Sequence, residues 1–301
     1  MGIQASPGIL SVVGTPIGNL ADASPRVIDT LTAADVVLCE DTRVTAKLLS
    51  AFGVRASLQR CDEHIIASQV DSVLERLAQG QRVAFVSDAG MPGISDPGQR
   101  LVDAALDAGF TTEVIPGPSA VTCALVASGL ACDHFFFEGF LPRKHGAQTE
   151  RLTWLAAIPG ALVIYESPRR VAATLARIAE VMPSRRVALV RELTKLHEEV
   201  VRDTAVALAA IIAARESLKG ECVLIIAPPT DEERAAIDRK RASVASPSDG
   251  AQLTGTTLED AIREGLLAHE RKSTLARKLS KVFSLDREVV YAAILTAAQN
   301  Q

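Results

Sequence analysis

The sequence predicts an α/β fold in two domains with a small helical domain at the end. Three observations predict it. Short β-branched runs alternate with helix-periodic segments. Several of those runs end in glycine- and proline-rich loops. The 301 residues combine 48% hydrophobic with only 4% aromatic side chains, the balance expected of Ala/Val/Leu-rich layers. That length holds two or three domains with ample buried core.

The first strand is expected over 10–14, where an apolar run meets a glycine. A helix over 25–33 follows, with Ser24 as its cap and Pro25 in the first turn, where a missing N–H is harmless. A strand over 36–39 and helices over 42–52 and 65–79 come next. Strands over 83–87 and 112–115 flank a helix over 97–109, which Asp96 caps and Pro97 opens. Further strands fall at 135–138, 161–165, 187–190 and 222–227. Helices over 118–130, 147–158, 168–182 and 204–215 are interleaved with them, and Pro118 and Pro168 stand at two of their starts.

The turn Pro116-Gly117-Pro118-Ser119 marks a boundary between an N-terminal α/β domain over 1–117 and a second α/β domain over 118–229. Residues 230–257 carry Pro, Ser, Asp and Gly around Arg239, Lys240 and Arg241, and are expected to be a linker. Helical periodicity returns over 258–301. There, residues 271–281 hold Arg271, Lys272, Arg277, Lys278 and Lys281 with no acid, which suits a nucleic-acid face or an ordinary solvated one. No internal repeat is present.

No apolar run approaches the ~20 residues of a membrane span, and the first residues lack the pattern of a secretory signal. Gly2 followed by Ser6 matches a myristoylation pattern only loosely. The five cysteines (Cys39, Cys61, Cys123, Cys132, Cys222) have no CxxC spacing. A reducing cytoplasm and no metal site are therefore expected. The net charge of −4 hides an asymmetry: residues 1–142 carry −8, residues 143–202 carry +5, and the remainder −1. A local positive face is enough for phosphate contacts.

Three loops follow strands, where open α/β sheets place ligands. Gly14-Thr15-Pro16-Ile17-Gly18-Asn19-Leu20 is not a GxGxxG dinucleotide fingerprint and alone would be a plain turn. Residues 87–98, SDAGMPGISDPG, hold more glycine, proline and acid than a turn needs. Backbone N–H groups and carboxylates of this kind suit a zwitterionic ligand; two stacked turns are the bland alternative. Pro116-Gly117-Pro118-Ser119-Ala120 opens a helix whose first N–H groups are available to a polar ligand.

With EDTR at 40–43, VIPGPSAV at 114–121, FEGFLPRK at 137–144, YESPRR at 165–170, RELTKLHEE at 191–199 and KGECVLI at 219–225, these loops carry a family resemblance. The chain resembles the small-subunit ribosomal RNA 2′-O-ribose methyltransferases of the tetrapyrrole methylase superfamily, in order from about residue 10 to 227. Cys222, where a bulkier apolar residue is usual, is a minor departure. The resemblance implies two α/β domains with S-adenosylmethionine in the cleft between them. Gly14, Thr15 and Pro16 would form the cleft floor, Asp88, Ala89, Gly90 and Met91 would cradle the methionine part, and Ser119 and Ala120 would lie near the cofactor. The Glu166 and Lys219-Gly220-Glu221 regions would line it from the second domain. It further implies a homodimer. The acceptor it implies is the 2′-hydroxyl of a decoding-region cytidine, number 1402 in 16S rRNA, within the assembled small subunit.

A ribose hydroxyl benefits from a base or acceptor as it attacks. Glu40, Asp41, Asp88, Glu166, Glu192, His197 and Glu198 are candidates, and Lys195 is placed to lower the hydroxyl pKa or hold a phosphate. Of these, Glu166, Lys195 and Glu198 are the expected catalytic residues; capping or ion pairing is the alternative for each. Arg143, Lys144, Arg169, Arg170 and Arg191, with Lys272 and Lys278 of the tail, are the expected RNA contacts. Phe135, Phe136 and Phe137 suit core packing better than base stacking. Two other functions share the fold: a small-molecule C- or N-methyltransferase of the tetrapyrrole type, and a non-catalytic small-subunit assembly factor. The basic middle segment and the tail disfavour the first, and the intact loops the second.

Overall fold

A computed structural model of the chain describes residues 8–93, 98–130, 133–237, 258–268, 270–283, 285 and 287–299. The chain divides into two compact units between Ile237 and Asp238.

The first unit contains two five-stranded sheets. One is entirely parallel, in the order β3-β2-β4-β1-β5. Its strands are β1 (Ile9–Val13), β2 (Val36–Cys39), β3 (Leu58–Arg60), β4 (Arg82–Val86) and β5 (Thr111–Ile115). Parallel strands are buried on both faces, which is why β2 is an unbroken apolar run. Helices α1 (Pro25–Ala33) and α2 (Thr42–Ala51) cover one face, packing Val27, Leu31 and Leu49 with Val13, Val37 and Cys39. Helices α3 (Ile66–Ala78) and α4 (Gln99–Asp107) cover the other, packing Val73, Leu77 and Leu101 with Leu10, Leu38 and Phe85. The chain leaves β1 toward β2 but leaves β4 toward β5. The connections after these adjacent strands therefore run in opposite directions and open a crevice above the strand ends.

Helix α5 (Ala120–Ser128) leads into the second sheet, ordered β6-β7-β10-β8-β9. Its strands are β6 (Phe135–Phe140), β7 (Ala161–Glu166), β8 (Arg186–Arg191), β9 (Glu199–Thr204) and β10 (Cys222–Ile226). Only β6 and β7 pair in parallel. Helices α6 (His145–Leu155), α7 (Val171–Val181) and α8 (Ala205–Ala213) pack on one face with Leu162, Ile164, Leu189 and Leu224. Val121, Ala124 and Leu125 of α5 meet Val163, Val190 and Ile225 on the other. Alternate residues of each strand thus point to different helices, and this parity sets which side chains reach the crevice.

All eight predicted strands are present, with ends shifted by at most two residues. Two strands carried too little signal. β3 is three residues without a β-branched side chain, and β9 is an edge strand whose inward and outward positions mix Val with charged residues. Ser24 caps α1 as expected. Ser119 is still extended and Arg170 is the residue before α7, so these helices begin two and three residues beyond Pro118 and Pro168. Asp96 and Pro97 lie outside the described residues. Residues 231–237, inside the segment expected to be a linker, are helical (α9), and Glu233 ties them to Ser184 and to the buried Arg185. In the second unit α10 (Leu258–Leu267), α11 (Lys272–Phe283) and α12 (Arg287–Gln299) share a core of Ile262, Leu275, Leu279, Val290 and Ile294.

Candidate functional site

Three loops of the first sheet converge because two glycines allow it. The Gly14 N–H donates to the Ile115 carbonyl at 2.9 Å. A Cβ on Gly14 would stand 2.6 Å from the Gly117 nitrogen and 2.5 Å from Met91 Sδ; one on Gly117 would stand 2.7 Å from the Gly14 carbonyl carbon. Thr15 and Gly90 bridge the β1 and β4 loops, with N–H to carbonyl distances of 2.9 and 3.1 Å in the two directions. Gly90 adopts φ +83°, which disfavours any side chain there. Asp88 and Ala89 are exposed at the rim, and Asp88 Oδ1 accepts the Asp41 N–H at 3.2 Å. Asp41 in turn is held well below the usual carboxylate range by the Arg43 side chain and N–H. Ser119 precedes α5 without making a capping bond, so its hydroxyl leaves the first-turn N–H groups of that helix uncapped.

The second sheet contributes the β8–β9 hairpin, residues 192–198. Glu192 (φ +53°) and Thr194 (φ +64°) are the non-glycine residues with positive φ among those described. Such conformations cost about 1 kcal/mol or more each and persist only where their surroundings enforce them. Lys195 Nζ bonds Glu192 Oε1 and Glu221 Oε2, both at 3.0 Å. The Glu221 N–H reaches the same Glu192 oxygen at 2.9 Å, and Glu198 Oε2 accepts the Thr194 N–H at 2.6 Å. Gly220, at φ +88°, leaves the Glu192 side chain the space a Cβ would occupy. The Glu221 N–H, then Lys195, hold the Glu192 carboxyl below its ordinary range. Partial burial opposes the charge on Lys195, but Glu192 and Glu221 outweigh it and raise the ammonium above its ordinary range.

This hairpin presses on the first sheet's Gly18, where a Cβ would meet Lys195 Cγ at 2.6 Å and Thr194 Oγ1 at 2.7 Å. The buried Thr194 Oγ1 has no hydrogen-bond partner. Thr194 also lines a cavity of about 410 Å³ with Asp22, Pro116, Gly117, Pro118 and Cys123. That volume is in the range of small-molecule sites. A larger hollow of about 510 Å³, beside Leu49, Gly53, Arg55 and Leu58, lies at the N-terminal end of β3, away from the convergent loops.

The tetrapyrrole (corrin/porphyrin) methylase profile matches residues 10–209. A ribosomal RNA small subunit methyltransferase I of Mesorhizobium japonicum is 45% identical over 256 residues, covering 82% of this chain and 87% of its own. That of Synechocystis is 37% identical over 285 residues, covering 94% and 96%. The chain belongs to the ribosomal RNA small subunit methyltransferase I family of tetrapyrrole methylases. Among solved structures, the methyltransferase CobJ superposes with a TM-score of 0.56 at 20% identity, covering 73% of this chain and 94% of that one. A diphthine synthase superposes with 0.58 at 15% identity, covering 77% and 95%. These two likenesses concern the fold.

Within the fold of this methylase family, Gly14, Thr15, Pro16, Gly90, Met91, Ser119 and Ala120 gather at the crevice, with Asp88 and Ala89 on its rim. Gly220 supports the hairpin from behind. Glu166 is brought to the same end of the second sheet, but its buried side chain faces α7. There it accepts the Thr174 hydroxyl at 2.7 Å and the Ser167 N–H at 2.8 Å and pairs with Arg170 at 3.3 Å. Arg191 and Arg215 pair with Glu199, and Lys278 pairs with Glu270. Arg143, Lys144, Arg169 and Lys272 are exposed and pair with no carboxylate among the described residues. Thr194 is the residue the sequence did not single out; its only signal was its place between Leu193 and Lys195 inside the 191–199 motif. Among the described residues, no His, Cys, Asp and Glu group is arranged for a metal and no helix is long and apolar enough to cross a membrane.

Proposed function

We propose that this chain transfers a methyl group from S-adenosylmethionine to the 2′-hydroxyl of a decoding-region cytidine, position 1402 of 16S rRNA, in the small ribosomal subunit. The observation that carries the proposal is the joint crevice. Glycine loops of the first sheet are closed on one side by the strained hairpin of the second, around a cavity of about 410 Å³. The glycine approaches, the uncapped α5 N-terminus and the unpartnered Thr194 hydroxyl fit a polar, partly charged cofactor. Gly14, Thr15, Pro16, Asp88, Ala89, Gly90, Met91, Ser119, Ala120 and Gly220 would hold or support it. When bound, it supplies an electrophilic sulfonium methyl group.

The chain's own task is then positioning and water exclusion, which can supply much of the rate of an in-line displacement. Lys195, kept cationic between two carboxylates, is assigned to the attacking hydroxyl or its neighbouring phosphate. Glu198 holds the Thr194 N–H and Glu166 anchors α7, so both act by positioning. Arg143, Lys144, Arg169 and Lys272 are free to meet RNA phosphates; Arg170, Arg191 and Lys278 would do so through guanidinium or ammonium edges left by their ion pairs. A cytoplasmic homodimer is the proposed working form.

Purified small subunits lacking the modification, incubated with the chain and methyl-labelled cofactor, are expected to gain label on a cytidine ribose. Transfer to a tetrapyrrole instead would establish the small-molecule reading. Cofactor binding with no transfer to either acceptor would establish an assembly role.

A further inference from the structure

Phe140 is 60% exposed at the end of β6, and a backbone irregularity puts it there. β6 pairs Phe135, Phe136 and Phe137 with Ala161, Leu162 and Val163, then skips one residue, so that Gly139 meets Ile164 and Phe140 meets Tyr165. Gly139 takes φ +72° to make the bulge. Uninterrupted alternation would turn residue 140 to the face of α6 and α7. The bulge moves it to the opposite face, where Phe137 and Tyr165 lie. Glu138 is left facing α6, in a two-pronged contact with Arg151 at 2.7 Å.

The displaced ring is braced. Tyr165 meets it edge-to-face at 5.8 Å, and Phe137 holds Tyr165 in the same manner at 4.9 Å. Trp154, a comparably exposed aromatic on α6, has one face covered by the Arg151 guanidinium at 4.2 Å. Beyond Phe140 the chain passes through Leu141 and Pro142 to the exposed Arg143 and Lys144, and Arg169 is exposed after β7. β6, β7 and β8 end, and β9 and β10 begin, at this one edge of the sheet. Phe140 therefore stands three strand spacings, about 14 Å, from the start of the Thr194 hairpin.

We infer that the Phe140 ring is a stacking platform for an unpaired nucleobase of the RNA acceptor, with Arg143 and Lys144 on the adjoining phosphates. A fixed aromatic face beside cations is the pairing that binds single-stranded nucleic acid without reading its sequence. The inference rests on the RNA substrate proposed above.

The test compares Phe140→Ala, Phe140→Leu and Phe140→Tyr in methyl transfer to unmodified small subunits, with cofactor affinity by calorimetry and solution mass measured in parallel. Stacking predicts that Ala and Leu raise KM and lower kcat/KM by about 10- to 100-fold, while Tyr stays within about 3-fold. Cofactor affinity and mass are then unchanged in all three. Wild-type rates in the Ala and Leu variants would overturn the inference and leave the RNA reading intact. Full rescue by Leu, or a change in solution mass, would assign the ring to packing or to a contact between copies of this chain. Absence of transfer by the unaltered chain would defeat the RNA reading and this inference together.

Discussion

Thr194 is held in a left-handed conformation with its hydroxyl buried and unpaired, against Gly18, which has no side chain to displace it. An orphaned hydroxyl is a liability in the free chain and becomes useful when a ligand supplies its partner. Thr194→Val keeps the shape and removes the liability. Its thermal unfolding should therefore be unchanged or stabilised by up to about 1 kcal/mol, while calorimetric cofactor affinity falls by about 5-fold, the worth of one neutral hydrogen bond. Lower stability with unchanged affinity would make the residue purely structural. Gly14 and Gly90 were legible only as glycines of loops at strand ends, which plain turns would also have explained; the close approach of Gly14 to Gly117 and the positive φ of Gly90 came from the structure. The burial of Glu166 was not legible. A carboxylate at a strand end has the same composition whether it faces the crevice or α7, and the parity of β7 decided between them.

The β8–β9 hairpin acts as an element because Lys195 joins Glu192 to Glu221 across two strands. Glu192 has a lowered pKa, so its contribution is present above its ordinary value of 4.5 and is lost as pH falls through the lower folded value. Lys195 has a raised pKa, so its contribution is complete below 10.5 and is lost as pH rises through the higher folded value. Between those limits the latch should be indifferent to pH. A double-mutant cycle of Glu192→Gln and Lys195→Met, read by denaturant unfolding, should give a constant coupling of about 1 kcal/mol or less across the neutral range, because both groups are partly exposed. The coupling should fade in acid, as pH falls from 4.5 through the lowered folded value and Glu192 protonates. A coupling that changes between pH 6 and 9 would mean another group titrates in the latch. Most strands were legible because their apolar runs outlast local noise, whereas β3 and β9 owe their extended state to neighbours that supply the hydrogen bonds. The Gly139 bulge was invisible for the same reason, since a register shift exists only between two strands.

At the scale of the molecule, the −8 of residues 1–142 and the +5 of residues 143–202 separate the charge along the chain. The crevice loops lie mainly in the acidic stretch, and the exposed arginines and lysine of the second sheet's edge lie in the basic one. The second unit keeps its own three-helix core. A chain ending at Ile237 retains both sheets and the Glu233–Arg185 contact that closes the first unit. It should bind the cofactor as the full chain does. Its affinity for small subunits should fall and depend less steeply on salt, because the cations of α11 are gone. Filter binding across a salt series, beside cofactor calorimetry, checks both halves of that expectation. Loss of cofactor affinity would show that the second unit helps build the site.

By itself the sequence determined the α/β alternation, the positions of the glycine-rich loops at the strand ends and the charge division, because periodicity, glycine and net charge are local quantities. Their motifs also carried the family. Only the tertiary structure decided that Thr194 is orphaned, that Glu166 turns away from the crevice and that Phe140 turns out of the sheet. Each of those outcomes depends on what a partner strand or facing loop leaves room for, and no single stretch of chain contains that information.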